Sequence, residues 1–217
     1  MPAAVSPDQA AGPPLDKWPI WRTLGVDDDG FDGLDRYRAL LEDWSVRFNL
    51  IGPSVLGEFW SRHALDSAQL AALAPGAKTW TDLGSGAGFP GLVLAIVLRR
   101  RPGARVHLVE SMGKRCRFLE HVADALQLPV TVHQARAETL ALGSEVVTAR
   151  ACAPLPKLLG FARPHLKGRA IGLFLKGREV ESELTEARAQ WRLDAELLPS
   201  LSDPAGRILK VTRLERA

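Results

Sequence analysis

The sequence predicts an α/β fold: a doubly wound, mostly parallel sheet of seven strands preceded by a helical extension. Three observations carry that expectation. From residue 78 onward, short apolar strand patterns alternate with helical ones. Ahead of residue 78, the stretch from Asp32 to Leu73 shows only helical periodicity. Between the two kinds of pattern, Gly84-Ser85-Gly86-Ala87-Gly88-Phe89-Pro90-Gly91 joins an apolar strand to an apolar helix. Such a glycine turn at a helix start lets backbone approach a ligand closely and points free N–H groups at it.

In chain order, Met1 to Pro14 is rich in Pro and Ala and lacks the basic segment and apolar core of a secretion signal. Residues 1–15 are expected to be a disordered tail and residues 16–75 a helical extension. Within the extension, Leu34, Tyr37, Leu40, Leu41, Trp44 and Phe48 recur at three- and four-residue spacing. Asn49-Leu50-Ile51-Gly52-Pro53 ends that helix, with Ser54 capping the next. The next helix carries Phe59, Trp60, His63, Leu65 and Leu70 and stops before Pro75-Gly76. Residues 76–217 form the α/β domain. Its strands are expected at Lys78–Leu83, Arg105–Glu110, Val130–Gln134, Val146–Arg150 and Ala170–Lys176, with a final pair at Ala195–Leu198 and Arg207–Leu214. Helices fall at Pro90–Arg100, Gly113–Gln127, Leu155–His165 and Glu179–Trp191.

Composition narrows the class. A chain of 217 residues with 46% hydrophobic and 24% charged residues can bury an ordinary globular core. Its longest apolar run, Leu92 to Leu98, is too short to span a bilayer. Cys116 and Cys152 are its only cysteines, so no disulfide framework is expected, and the setting is expected to be a reducing cytoplasm. His63, His107, His121, His133 and His165 lack metal spacing, and Asp27-Asp28-Asp29-Gly30 fails the calcium-loop pattern, so no metal is assigned. The net charge is only +3, with pI near 9.1. Basic residues nevertheless gather at predicted element ends: Arg99-Arg100-Arg101, Lys114-Arg115 with Arg117, Arg163 with Lys167 and Arg169, and Lys176 with Arg178. Each alone reads as a solvated surface charge; together they suggest a face that follows nucleic-acid phosphates.

Two cofactor fingerprints overlap in the glycine turn. Gly84-x-Gly86-x-Gly88 after an acidic residue is the pattern of enzymes using S-adenosylmethionine, whereas Gly86-x-Gly88-x-x-Gly91 reads formally as a dinucleotide motif. Register decides between them. Gly84 directly follows the strand, and the dinucleotide reading begins two residues too late. Asp82, just inside the strand end, is placed to orient the loop and face the cationic methionine end of the cofactor. Glu110 closes the second strand, where a carboxylate accepts hydrogen bonds from both ribose hydroxyls in either cofactor class. Seven strands ending in an antiparallel pair complete the expectation of a Rossmann-like class I methyltransferase.

The reaction is narrowed by what is absent. The Asn/Asp-Pro-Pro-aromatic motif of exocyclic-amine methylation is replaced after the fourth strand by Thr148-Ala149-Arg150-Ala151-Cys152-Ala153-Pro154. Cys152 stands where a cytosine-C5 nucleophile would be of interest, but it reads more simply as a small buried residue. Guanine N7 has a free lone pair and no proton to remove, so its methylation needs alignment and no general base. The lack of a convincing acid or base is compatible with that chemistry.

At this point the chain resembles the GidB/RsmG family of bacterial 16S rRNA guanine-N7 methyltransferases. The resemblance rests on Phe48-Asn49-Leu50, Arg62-His63 with Asp66-Ser67, and Asp82 through Gly91. It continues in Glu110-Ser111 with Lys114-Arg115 and Phe118-Leu119, Arg136-Ala137-Glu138, Arg150-Ala151 and Lys176-Gly177. It implies S-adenosylmethionine as cofactor, with Gly84, Phe89, Ala137, Glu138 and Arg150 at the cofactor site, beside Asp82, Gly86, Gly88 and Glu110 as read from the turn and the second strand. Arg150 is given a positioning role, toward the methionine carboxylate or an RNA phosphate, because a guanidinium stays charged and shuttles no proton. Arg115, Arg117, Lys176 and Arg178 are expected to bind RNA. The implied substrate is 16S rRNA or a small-subunit assembly particle, and the enzyme is expected to act as a cytoplasmic monomer. The other readings left by the residues are a methyltransferase for a small molecule or protein, a non-catalytic RNA-binding module and an NAD-dependent oxidoreductase.

Overall fold

The structure, a computed structural model, describes residues 18–217; the tail expected over residues 1–15 lies outside the described residues. Helices α1 (Trp18–Thr23), α2 (Asp28–Phe48), α3 (Pro53–Gly57), α4 (Leu65–Ala68) and α5 (Leu70–Leu73) precede an alternating β/α segment. That segment runs β1 (Thr79–Leu83), α6 (Gly91–Leu98), β2 (Arg105–Glu110), α7 (Gly113–Ala125), β3 (Val130–Gln134), β4 (Val146–Arg150), α8 (Leu155–Ala162), β5 (Ile171–Lys176) and α9 (Val180–Arg188). The chain ends with β6 (Trp191–Pro199) and β7 (Arg207–Arg216). The sheet order is β3-β2-β1-β4-β5-β7-β6, with β7 antiparallel to both β5 and β6 and all other pairs parallel. This is the expected seven-stranded sheet with its antiparallel pair.

Helix α6 organises the layers. Its sequence GLVLAIVL has no polar face, and all of its residues but Val97 are buried. A helix apolar all round must be covered on both sides. The sheet covers one side, and the extension supplies the rest: Trp21, Leu34, Tyr37, Leu41, Phe59, Leu65 and Leu70 share one continuous core with α6 and with Val106, Leu108 and Phe118. A second core, on the other sheet face, gathers Leu83, Val109, Val147, Leu158, Phe174 and Trp191 under α8 and α9.

Local structure departs from the expected pattern at four places. The residues expected to lie in one helix after Pro53 fold instead as α3, a π-helical stretch Phe59–Ala64, then α4 and α5. Its i→i+5 winding, with His63 N donating to Glu58 O and Leu65 N to Trp60 O, aligns Phe59 with Ala64 and Trp60 with Leu65, all four buried. The cap of α3 is Gly52, with Pro53 in the first turn; Ser54 lies inside the helix. The last helix stops at Arg188 because Trp191 is claimed by β6, where its ring is buried, its Nε1 donates to Pro156 O at 3.0 Å and the Arg216 guanidinium stacks over it at 4.4 Å. Finally, the basic run after α6 is engaged by the acidic run that opens α2. Arg99 pairs with Asp29, Arg100 with Asp27 and Asp29, and Arg101 donates to Ala77 O. Asp27 also caps α2 through the Gly30 N–H. Arg99 and Arg100 thus fasten the extension, and Arg101 holds the chain just ahead of β1.

Gly91 marks the closest approach of α6 to the sheet. A Cβ there would lie 2.2 Å from Leu108 Cδ2 and 2.8 Å from Asp82 Oδ2. Gly91→Ala is expected to lower stability by about 1–3 kcal/mol through overpacking. Urea unfolding checks this; an unchanged midpoint would contradict the packing described.

Candidate active site

The sheet order reverses between β1 and β4, and in open α/β sheets ligands bind beyond the strand C-termini at that switch point. The glycine turn after β1 lies there. Gly84, Gly86 and Gly88 adopt φ of 68°, 57° and 105°, the left-handed region that favours glycine. Gly84 N and Ser85 N both donate to Val109 O, at 2.8 and 3.1 Å, which hangs the turn on β2. Tyr37 of α2 donates its hydroxyl hydrogen to Ala87 O at 2.6 Å, tying the extension to the same turn.

Two carboxylates hold the turn from below and from the side. Asp82 is buried and accepts from Gly91 N at 3.2 Å and Thr148 Oγ1 at 3.0 Å, joining β1, β4 and α6. Burial pushes its carboxyl up to about 7, against the opposing hydrogen bonds from Ser85, Thr148 and Gly91. Glu110 accepts from Gly86 N at 3.0 Å through Oε2 and from Met112 N at 2.9 Å through Oε1, with Arg115 Nη1 at 3.6 Å.

Two clefts open above these groups. The first, of about 260 Å³, is lined by Gly84, Glu110, Arg115, Ala137 and Glu138, with Val109, Met112, Cys152 and Phe161. Four residues expected to bind the cofactor thus share one wall set, and Arg115, expected to bind RNA, lies among them. The second cleft, of about 270 Å³, is lined by Arg62, Asp66, Arg150, Lys176 and Asp203 among others. Ala151, itself at φ 48°, lines both clefts, so they meet at the end of β4.

The other expected residues fall as follows. Arg150 lines the second cleft and not the first; it is half-buried, its Nη1 has no hydrogen-bond partner, and its guanidinium lies 6.0 Å from the Phe89 ring centre. Phe89 packs with Tyr37, Phe59 and His63 and lines neither cleft. Asp82 lies buried beneath the turn, Gly88 is buried within it, and Gly86 is held to Glu110. Lys176 pairs with Glu183, while Arg117 and Arg178 are exposed. Burial, reinforced by Arg150 and Arg62, holds His63 down to about 3, so its ring is neutral at physiological pH. Burial and the carboxylates of Asp82, Glu110 and Glu138 push the Cys152 thiol up, away from the thiolate a nucleophile needs. Among the described residues no group of three or more His, Cys, Asp or Glu is placed to hold a metal, and no helix is long and apolar enough to cross a membrane.

Reading the residues for chemistry did not single out Arg62, Asp66, Ser200 or Ser202 as site residues. Arg62 and Asp66 entered only among the residues carrying the family resemblance, with no role attached, and Ser200 and Ser202 sit in an unpatterned hairpin loop.

A family model described as rRNA small subunit methyltransferase G matches residues 31–204. The chain belongs to this GidB family. Among GidB relatives, ribosomal RNA small subunit methyltransferase G of Caulobacter vibrioides is 56% identical over 214 residues, covering 98% of this chain and 99% of that one. The protein of the same description from Parvibaculum lavamentivorans is 51% identical, covering 87% and 85%. Solved structures share the fold at low identity. A candidate O-methyltransferase from Klebsiella pneumoniae, 11% identical, gives a TM-score of 0.57 over 90% of this chain and 94% of its own. A candidate rRNA methylase from Clostridium thermocellum, also 11% identical, gives 0.51 over 70% and 97%.

The elevated Asp82 predicts a pH effect. Folded, the group holds its proton up to about 7, whereas an unfolded aspartate releases it near pH 4. The stability contributed by neutral Asp82 is therefore fully present below about pH 4 and is lost as the pH rises through 7. Asp82→Asn is expected to flatten this decline in urea unfolding between pH 5 and 8; identical slopes in the two proteins would contradict it.

Proposed function

We propose that this protein transfers the methyl group of S-adenosylmethionine to N7 of a guanine in 16S rRNA, acting as a cytoplasmic monomer on the rRNA or a small-subunit assembly particle. The observation that carries the reading is the meeting of two clefts at Ala151, one bounded by the glycine turn and Glu110 and the other by Arg62, Arg150 and Lys176 together with the carboxylates of Asp66, Glu183 and Asp203, in a chain of the GidB family. The likeness to a candidate O-methyltransferase is one of fold and adds nothing about substrate.

The residues of the first cleft fit S-adenosylmethionine. A Cβ at Gly84 would lie 2.6 Å from Cys152 Sγ, so the turn leaves room there only for glycine. Glu110 spends acceptor positions on Gly86 and Met112 and keeps others for a ribose diol, since a carboxylate offers about four. Val109, Met112, Ala137 and Phe161 give apolar walls for a planar base, with Glu138 exposed at the rim toward its polar edge. When bound, S-adenosylmethionine supplies an electrophilic methyl group on a cationic sulfur. Glu110, in the wall of the cleft, offers the negative charge that such a cation favours. Arg150, with an unsatisfied Nη1 beside the junction, is the positioning group for a carboxylate or phosphate.

The chemistry asks for no proton transfer. Neutral His63 and the protonated Cys152 thiol leave no strong base or nucleophile at the junction, and guanine N7 attacks through its own lone pair. The enzyme's contribution is alignment and exclusion of water.

Deleting the gene is expected to abolish cleavage at the target guanine when rRNA is treated by reductive aniline chemistry, which reads N7-methylguanine; persistence of the modification would refute the assignment. Glu110→Ala is expected to weaken S-adenosylmethionine binding by about 1–3 kcal/mol in calorimetry through lost charge-assisted hydrogen bonds. An unaltered affinity would remove the ribose role.

A further inference from the structure

Both purines carry N7 with a free lone pair, so alignment alone does not make the enzyme select guanine over adenine. The difference lies on the Watson–Crick edge. Guanine presents two donors there, N1–H and the N2 amino group, whereas adenine presents an acceptor at N1. A site that distinguishes them needs an acceptor held in a fixed place.

Resting on the function proposed above, we infer that the second cleft receives the target base and that Asp66 Oδ2 is the acceptor that reads guanine. The cleft adjoins the first at Ala151 and, at about 270 Å³, is near the lower end of small-ligand pockets, the size for one ring system. Asp66 lines it from α4, immediately after the π-helical stretch. Its Oδ1 is saturated: Ser200 Oγ donates at 2.8 Å, Ser202 Oγ at 2.9 Å and Gln69 Nε2 at 2.8 Å. Gln69 also holds the loop by accepting from Leu201 N at 2.8 Å, and Ser202 N donates to Ser200 Oγ at 3.1 Å. Oδ2 accepts from no group among the described residues. One oxygen is thus locked and the other is left without a protein donor among the described residues.

The remaining carboxylates of the cleft are engaged. Glu183 accepts from Leu155 N at 2.6 Å and pairs with Lys176. Asp203 accepts from Ala205 N at 2.8 Å and lies 4.0 Å from Arg62. In guanine, Asp66 Oδ2 would accept from both N1–H and the N2 amino group; against adenine it would face the N1 lone pair, an acceptor against an acceptor, which is how a polar site rejects the wrong base.

Asp66→Asn tests this, because asparagine keeps a carbonyl oxygen for Ser200, Ser202 and Gln69 and turns the presented acceptor into a donor. Single-turnover methylation would be measured on small subunits assembled with 16S rRNA carrying either guanosine or inosine at the target. Inosine keeps N7 and O6 and lacks the N2 amine. Wild-type enzyme is expected to prefer guanosine by about tenfold, from loss of one charge-assisted hydrogen bond. Asp66→Asn is expected to lower the guanosine rate about 10–100-fold, bring the guanosine-to-inosine ratio close to one and leave S-adenosylmethionine affinity in calorimetry unchanged. Ser202→Ala, which removes one donor to Oδ1 while Ser200 and Gln69 keep the carboxylate in place, is expected to slow both substrates alike and keep the ratio. A wild-type ratio of one, a wild-type ratio retained by Asp66→Asn, or a ratio lost in Ser202→Ala would overturn the inference. Wild-type enzyme that forms no N7-methylguanine on either RNA would instead sink the function on which it rests.

Discussion

Helix α6 has no polar side, and the architecture follows from that constraint. A Rossmann-like sheet can bury one face of such a helix, and the other would expose an apolar surface that water disfavours. The extension is the cover. Because α2 and the α3–α5 segment must lie over α6, they also lie beside the glycine turn that α6 follows. Tyr37 reaches Ala87 O for this reason, and Arg62 and Asp66 reach the end of β4. Packing and chemistry here share a single cause.

The turn itself is held electrostatically. Asp82 from β1 and Glu110 from β2 use their oxygens on backbone N–H groups of the turn and of the helix starts, an arrangement that fixes loop geometry without side chains in the ligand's path. Its cost is a carboxyl placed where ionisation is unfavourable. The same negative surroundings keep Cys152 as a thiol, so a residue that looks reactive by position is quiet by environment.

The sheet was legible because strand length, alternation and glycine punctuation are local signals. The six strands through β5 and β7 fall within a few residues of their expected places. Trp191 was misread because helical spacing continues through it, while the Pro156 carbonyl and the Arg216 stack that place it in β6 are distant in sequence. Arg99, Arg100 and Arg101 looked like an RNA face because a basic run does not announce that Asp27 and Asp29, far earlier in the chain, will meet it. In the site, Gly84, Glu110, Ala137 and Glu138 come together because each ends a strand or follows one, and strand ends converge at the switch point. The second cleft was illegible for the opposite reason: Asp66 and Ser202 come from segments on either side of the α/β core, and only tertiary contact joins them.

That joining has a consequence for how the protein is made. Every residue lining the first cleft has been synthesised by Phe161, whereas the second is incomplete until Gly206 emerges and the hairpin loop closes onto Asp66. Along the time axis of translation, the first cleft is complete before the second. In evolutionary terms the division separates the two clefts: changes at Arg62, Asp66 or in the hairpin loop alter the lining of the second and leave the glycine turn untouched.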